Sequence, residues 1–329
     1  MDIDIFGDLI PYLKDSNVTD INWNGKDLWI DDLTKGRYKA PEKLETDFVT
    51  RLSAYVGNMT SQTINAYSPL LEAELPELRI SILHESIAKS GRTISIRKTP
   101  AIMRMRENQI ITSHYTEKKV LAFLKAAVEL GMNLVIAGLP GAGKTELLKF
   151  LTNYIPGNQR VITIEDTLEI HYRDLHPDKD CVEIKVTPQM SYADAIKASL
   201  RQKPYWLLLS EARSTEVKYL LESLSTGTRC ITTIHTDSAL KIPDRLRNMF
   251  PSGESVERIT NDIYSFIDIG VLVKNQIGMN GITRYITEVV LFDREEERNL
   301  SIPIMMNRQL LPFMDSYPKR FHPLIEVLR

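Results

Sequence analysis

The segment Gly138-Leu139-Pro140-Gly141-Ala142-Gly143-Lys144-Thr145 constrains this chain more than any other. It fits G-x-x-x-x-G-K-[ST], and it follows the apolar run Asn133–Ala137 and precedes the helix-compatible run Glu146–Leu151. A strand, a glycine-rich turn and a helix in that order form a cradle for phosphate. The glycines let successive backbone N–H groups turn inward, and the helix adds its positive end. Gly138, Gly141, Ala142, Gly143, Lys144, Thr145 and Glu146 are therefore the candidate phosphate-binding residues. Lys144 is placed to reach β- and γ-phosphates, and the Thr145 hydroxyl to ligate Mg²⁺.

A chain of 329 residues predicts two domains, each able to bury its own core. The formal net charge of −2 gives no sign of a surface built for nucleic acid as a whole. Cys181 and Cys230 lie far apart without partners at ligand spacing, which excludes a disulfide scaffold or zinc ribbon and fits a reducing cytoplasm. No apolar run approaches the roughly 18 residues of a membrane span. The start of the chain lacks the pattern of a signal peptide. Ile3, Phe6, Leu9, Ile10 and Leu13 share one side of a short helix whose polar residues include Asp2, Asp4 and Asp8. It is expected to pack on its own domain rather than on anionic lipid.

Residues 1–105 read as a mixed α/β domain. Strands are expected at Val18–Trp23 and Leu28–Ile30 around the Asn24-Gly25 turn, and at Leu78–Leu83 and Thr93–Arg97, with a helix over Glu45–Tyr55. Residues 106–116 are polar and read as a linker. From 117 to 329 the pattern becomes helices alternating with short apolar strands: Leu134–Ala137, Val161–Ile164, Trp206–Leu209, Cys230–Ile234, Ile267–Val273 and Ile282–Phe292. Near-continuous apolar strands of this kind predict a buried, mostly parallel sheet. Gly278–Gly281 reads as the tip of a hairpin joining the last two strands.

Three further clusters fall at predicted strand ends, where open α/β sheets bind ligands. Thr163-Ile164-Glu165-Asp166-Thr167-Leu168-Glu169 offers three carboxylates that could hold Mg²⁺ or polarise water; an acidic, solvated helix start would read the same way. Leu207–Arg213 is an apolar strand ending in Ser210-Glu211-Ala212-Arg213, the general form of a Walker B element. Ser210 precedes Glu211 where a metal-ligating Asp is usual, so Glu211 suits orienting and deprotonating water better than direct metal ligation. Thr232–Asp237 runs a strand into His235, either a structural histidine or a γ-phosphate sensor.

In this order the clusters resemble the secretion ATPase superfamily of type II and type IV secretion and type IV pili. That superfamily carries a Walker A loop, an Asp box (Thr163–Glu169 here), a Walker B element (Leu200-Arg201 through Arg213) and a His box (Thr226-Gly227 through His235). Arg79-Ile80 and Ile96-Arg97-Lys98 resemble two of its N-terminal segments. Length and boundaries are most similar to VirB11-type traffic ATPases, with CpaF/TadA-type pilus ATPases close; no CxxC pair is present. Tyr205, Ser210 and Thr228 depart from the usual residues.

The resemblance implies a RecA-like ATPase domain after a smaller, PAS-like α/β domain, assembled as a homohexamer. It implies ATP and Mg²⁺, with nucleotide held between the domains. Glu211 assisted by Glu165 would activate water, His235 would sense the γ-phosphate, and Thr145 with Asp166 would serve the metal. Arg79 and Arg97 are the candidate fingers, with Arg92 less secure, and Arg213 would hold Glu211 or reach a neighbouring subunit. Partners would be inner-membrane secretion or pilus proteins at the cytoplasmic face, with no sequence-specific nucleic-acid binding. ATP is preferred to GTP because no N-K-x-D segment occurs. The rivals are a RecA-type DNA translocase or helicase, and a nucleotide-gated scaffold that does no mechanical work.

Overall fold

Alternation of apolar and polar residues builds the first of two units. In this computed structural model, which describes residues 3–278 and 281–329, that unit comprises Met1–Ala101 and Gln276–Thr283. Its strands are β1 (Val18–Trp23), β2 (Leu28–Asp32), β3 (Gly36–Lys39), β4 (Leu70–Leu75), β5 (Leu78–Leu83) and β6 (Thr93–Lys98). They form one sheet in the order β3-β2-β1-β6-β5-β4, with every neighbouring pair antiparallel. Ile21, Ile30, Ile80, Ile82, Ile94 and Ile96 point to one face, where the helix Thr46–Met59 covers them with Val49, Leu52 and Val56. Phe6 and Leu9 join that core, so the N-terminal apolar stripe does pack on its own unit; Asp2 lies outside the described residues.

Polar residues on the other face fall in register. Arg37, Asp31, Asp20, Arg97, Arg79 and Glu74 are successive partners across all six strands. Arg37 pairs with Asp31 and Arg97 with Asp20, both at 2.9 Å. Arg92 instead forks onto Glu85 through Nε and Nη2.

The second unit comprises Ile102–Asn275 and Arg284–Arg329. Its strands are β7 (Leu134–Ala137), β8 (Val161–Glu165), β9 (Cys181–Lys185), β10 (Trp206–Leu209), β11 (Arg229–Ile234), β12 (Ile269–Gly278), β13 (Gly281–Glu295), β14 (Arg298–Met306) and β15 (Gln309–Leu310). The sheet order is β15-β14-β13-β12-β7-β11-β10-β8-β9. From β12 to β9 every pairing is parallel, while β13–β14 and β14–β15 are antiparallel. This is the RecA-like, mostly parallel sheet: β11 intervenes between the phosphate-loop strand β7 and the Walker-B-like strand β10.

Both faces of the sheet are buried. Leu134 and Ile136 of β7 join Trp206 and Leu208 of β10 under helices Lys118–Glu129, Lys144–Leu151 and His322–Leu328. Val135, Ala137, Leu207 and Leu209 face the opposite layer, with helices Tyr192–Leu200, Glu216–Ser225 and Val256–Phe266. Each fully buried Leu or Val contributes about 1.5–3 kcal/mol, which is why these strands carry no polar alternation. Gly131 ends the helix Lys118–Glu129 at φ 75°, and a Cβ there would meet the Arg229 Nε at 1.8 Å.

Two expectations change. Residues 106–116 are part of the second unit rather than a free linker: Glu107–Thr112 is helical, and Ile110 and Tyr115 are buried in its core. Those two apolar side chains outweigh their polar neighbours. The hairpin strands are also not the last two, because β14 and β15 extend the sheet beyond β13. Met279 and Asn280 of the expected tip lie outside the described residues.

Candidate functional site

Parallel pairing decides where the chemistry collects. Ala137 is level with Ile234, Leu209 with Thr232, and Leu209 with Ile164, so four strands end along one edge. The phosphate loop, Glu165-Asp166, Ser210-Glu211 and His235 follow those ends directly.

The loop itself depends on its glycines. Gly141 and Gly143 have φ of 76° and 93°, and a Cβ on Gly138 would lie 2.5 Å from the Val273 carbonyl oxygen. Gly143 leads into the helix Lys144–Leu151, whose first N–H groups and dipole favour an anion. The Lys144 ammonium donates to Gly138 O at 3.0 Å and contacts His235 Nδ1 at 3.2 Å. Burial lowers the Lys144 pKa, opposed by the carboxylates of Glu211 and Glu169.

A chain of polar contacts leads on from there. His235 Nε2 lies 2.9 Å from Glu211 Oε1, and Glu211 Oε2 accepts from Arg213 Nε at 2.8 Å. Arg213 Nη1 reaches Asp166 Oδ2 at 2.6 Å. His235 Nδ1 also lies 3.2 Å from the Gly138 carbonyl oxygen, so the imidazole bridges the phosphate loop and Glu211. Lys144, His235, Glu211, Arg213 and Asp166 thus lie in one network.

Two carboxylates take positions other than those expected. Glu165 is completely buried, its Oε2 accepting from the backbone N–H groups of Glu169 and Ile170 at 2.9 and 3.0 Å. Burial pushes its pKa up to about 8 despite those donors. Through Oε2 it braces the Asp-box loop, and its Oε1 is buried without a hydrogen-bond partner among the described residues. Asp166 is taken up by Arg213 and by the N–H of Thr167, and it also accepts from the Tyr192 hydroxyl at 3.2 Å. The carboxylate beside Thr145 is that of Glu169, whose Oε2 accepts from Thr145 Oγ1 at 3.3 Å. A hydroxyl and a carboxylate oxygen at the helix start suit Mg²⁺, a hard cation that prefers such donors and keeps most of its shell for water and phosphate.

Sequence reasoning missed several contributors. Tyr192, at the start of a helix capped by Ser191, touches Asp166 and Ser210. Buried Glu216 accepts from the N–H groups of Arg213 and Ser214 and fixes that turn. Asn275 and Arg284 hold the Gly141 carbonyl. Only long-range placement brings these to the site, and no local spacing signals it. Glu146 contacts Lys149 at 3.5 Å. Arg79 and Arg97 lie in the first unit, on β5 and β6.

Known proteins share this organisation. The family model described as type II/IV secretion system protein matches residues 70–265, more than half of the chain. An uncharacterized protein of Bacillus anthracis is 27% identical over 292 residues, covering 85% of this chain and 66% of that protein. Type IV secretion system protein VirB11 of Brucella suis is 28% identical over 331 residues, covering 89% and 91%. The solved structure of the pilus retraction motor PilT with bound ADP has a TM-score of 0.65 at 18% identity, covering 90% of this chain and 84% of that one. At that identity the likeness is one of fold. These matches bear out the resemblance to the VirB11-like secretion ATPases, and the chain belongs to the type II/IV secretion system protein family.

Proposed function

We propose that this protein hydrolyses ATP with Mg²⁺ and acts as a homohexameric motor for macromolecular transport by a secretion, conjugation or pilus complex, docked at the cytoplasmic face of a membrane. The observation that carries the reading is the Lys144–His235–Glu211–Arg213–Asp166 network at the mouth of the phosphate loop. Among the described residues no helix is long and apolar enough to cross a membrane.

The roles follow from charge and reach. Lys144 exchanges the Gly138 carbonyl for β- and γ-phosphate oxygens, to which a cation binds more strongly. That exchange leaves His235 between the γ-phosphate and Glu211, and contact of Nδ1 with a phosphate oxygen while Nε2 stays on the Glu211 carboxylate calls for a proton on both ring nitrogens. Glu211, held on its other oxygen by Arg213, positions the attacking water; in a loose phosphoryl-transfer transition state, placement matters more than early proton removal. Thr145 and Glu169 would hold Mg²⁺, which spreads the charge of the phosphates. Arg79 and Arg97 are the candidate fingers, each expected to lower kcat at least about 100-fold when replaced by Ala, whereas Arg92→Ala has little effect.

Steady-state hydrolysis by the full chain tests the reading. Lys144→Ala and Glu211→Gln should each abolish turnover, and a fully active Glu211→Gln protein would remove Glu211 from the mechanism. Native mass measurement with ATP tests the hexamer.

A further inference from the structure

The peptide between Gly141 and Ala142 is gripped from outside the loop. Asn275 Nδ2, on β12, and Arg284 Nε, on β13, both donate to the Gly141 carbonyl oxygen at 3.2 Å. The Arg284 side chain runs along the loop, its Cδ 3.0 Å from where a Cβ on Gly143 would sit. The charged and titratable groups acting on its guanidinium are Tyr115, Glu146 and Arg104. Asn275 and Arg284 are also where β12 and β13 leave the second unit, since Gln276–Thr283 group with the first.

We propose that Asn275 and Arg284 form a two-strand clamp that holds the phosphate loop in its binding conformation and sets nucleotide affinity. Both are positioning residues, acting through the Gly141 peptide. A loop with left-handed glycines at 141 and 143 has many conformations available, and each must be given up when phosphate binds. Two donors on one carbonyl fix the peptide plane beforehand, so less ordering is left for the ligand to supply. The carbonyl faces the two strands, so its peptide cannot flip without breaking both bonds. Displacement of either strand therefore reaches the loop at Gly141. The proposal rests on the nucleotide reading of that loop and specifies what sets its affinity.

Titration calorimetry of MgADP against the full-length chain tests it, with ATP turnover measured in parallel. Arg284→Ala should weaken MgADP binding about 10- to 100-fold, the worth of a hydrogen bond from a charged donor, and Asn275→Ala about 2- to 10-fold. KM for ATP should rise with each while kcat stays within about two-fold, the signature of lost uniform binding. The double variant should lose less than the product of the two, because both donors serve one carbonyl. Unliganded melting temperatures verify that each variant is folded, and the neutral Asn275→Ala change keeps the test informative if Arg284→Ala is unstable. Wild-type affinity in both variants, with binding lost in Lys144→Ala, would overturn the clamp and leave the nucleotide reading intact. Wild-type affinity in Lys144→Ala as well would overturn the nucleotide reading and the clamp with it. An effect of Arg284→Ala without any from Asn275→Ala would also overturn the clamp, since charge alone would then account for it.

Discussion

Glu165 shows how one carboxyl in a cluster acquires a role that its neighbours lack. Its side chain is fully buried, and only one of its two oxygens has donors. With its pKa pushed up to about 8, the group is mostly protonated at neutral pH. The folded chain then holds a proton that the unfolded chain releases above about 4.5. This stabilising contribution is full below that pH and is lost as pH rises through about 8. Glu165→Gln copies the neutral form. We expect hydrolysis at pH 7 within a few-fold of wild type, and a melting temperature that gains on the wild type between pH 6 and pH 9. If Glu165→Gln abolished hydrolysis while remaining folded, Glu165 would be returned to the water-activating role.

At the scale of elements, legibility followed locality. The strand ends that carry Glu211 and His235 could be read because β10 is wholly apolar, β11 is a β-branched run from Ile231 to Ile234, and each stops at a polar residue. Strand β4 could not, since Leu-Leu-Glu-Ala-Glu-Leu suits a helix as well, and only pairing with β5 decides it. The choice between Asp166 and Glu169 was likewise closed to the sequence. Both follow one strand, and the choice depends on Arg213 capturing the first from 47 residues away. Helix Tyr192–Leu200 supplies the other unforeseen link. Ser191 accepts from Asp194 N, so the helix starts where Tyr192 can place its hydroxyl between Asp166 and Ser210. Ser210 gives this chain a hydroxyl contact at that point, 3.2 Å from the Tyr192 oxygen. Tyr192→Phe should lower kcat about 2- to 10-fold, the net worth of a hydrogen bond, with KM for ATP unchanged. A rise in KM at constant kcat would show that Tyr192 serves binding instead.

At the scale of the whole molecule, the C-terminal segment is held to the second unit by the apolar side chains of Phe321, Leu324, Ile325 and Leu328 and, at its start, by Arg320. Arg320 Nη1 lies 2.7 Å from Asp268 Oδ1, and Nη2 lies 2.8 Å from Asp293 Oδ1 and donates to the Phe292 carbonyl. Asp268 also accepts from the Asn133 backbone N–H just before β7, so the contact joins the C-terminus to the strand that carries the phosphate loop. Both aspartates are buried, and burial pushes Asp268 up to about 6 even beside the guanidinium. Removing Arg320 would leave two buried carboxylates without their cation, a change that costs about 3–5 kcal/mol in comparable pairs. Arg320 is 31% exposed, so the lower end of that range is expected. The sign of the pH dependence follows. A raised carboxyl pKa means that stability falls as pH climbs toward it, and without the arginine that fall continues to higher pH. Arg320→Ala should therefore show a larger melting deficit at pH 8 than at pH 5, where protonation of Asp268 relieves the unpaired charge. Two units need not melt together, so the deficit is to be read on the transition that MgADP raises. An equal deficit at both pH values would mean that Arg320 acts through packing against Phe321 and not through its charge.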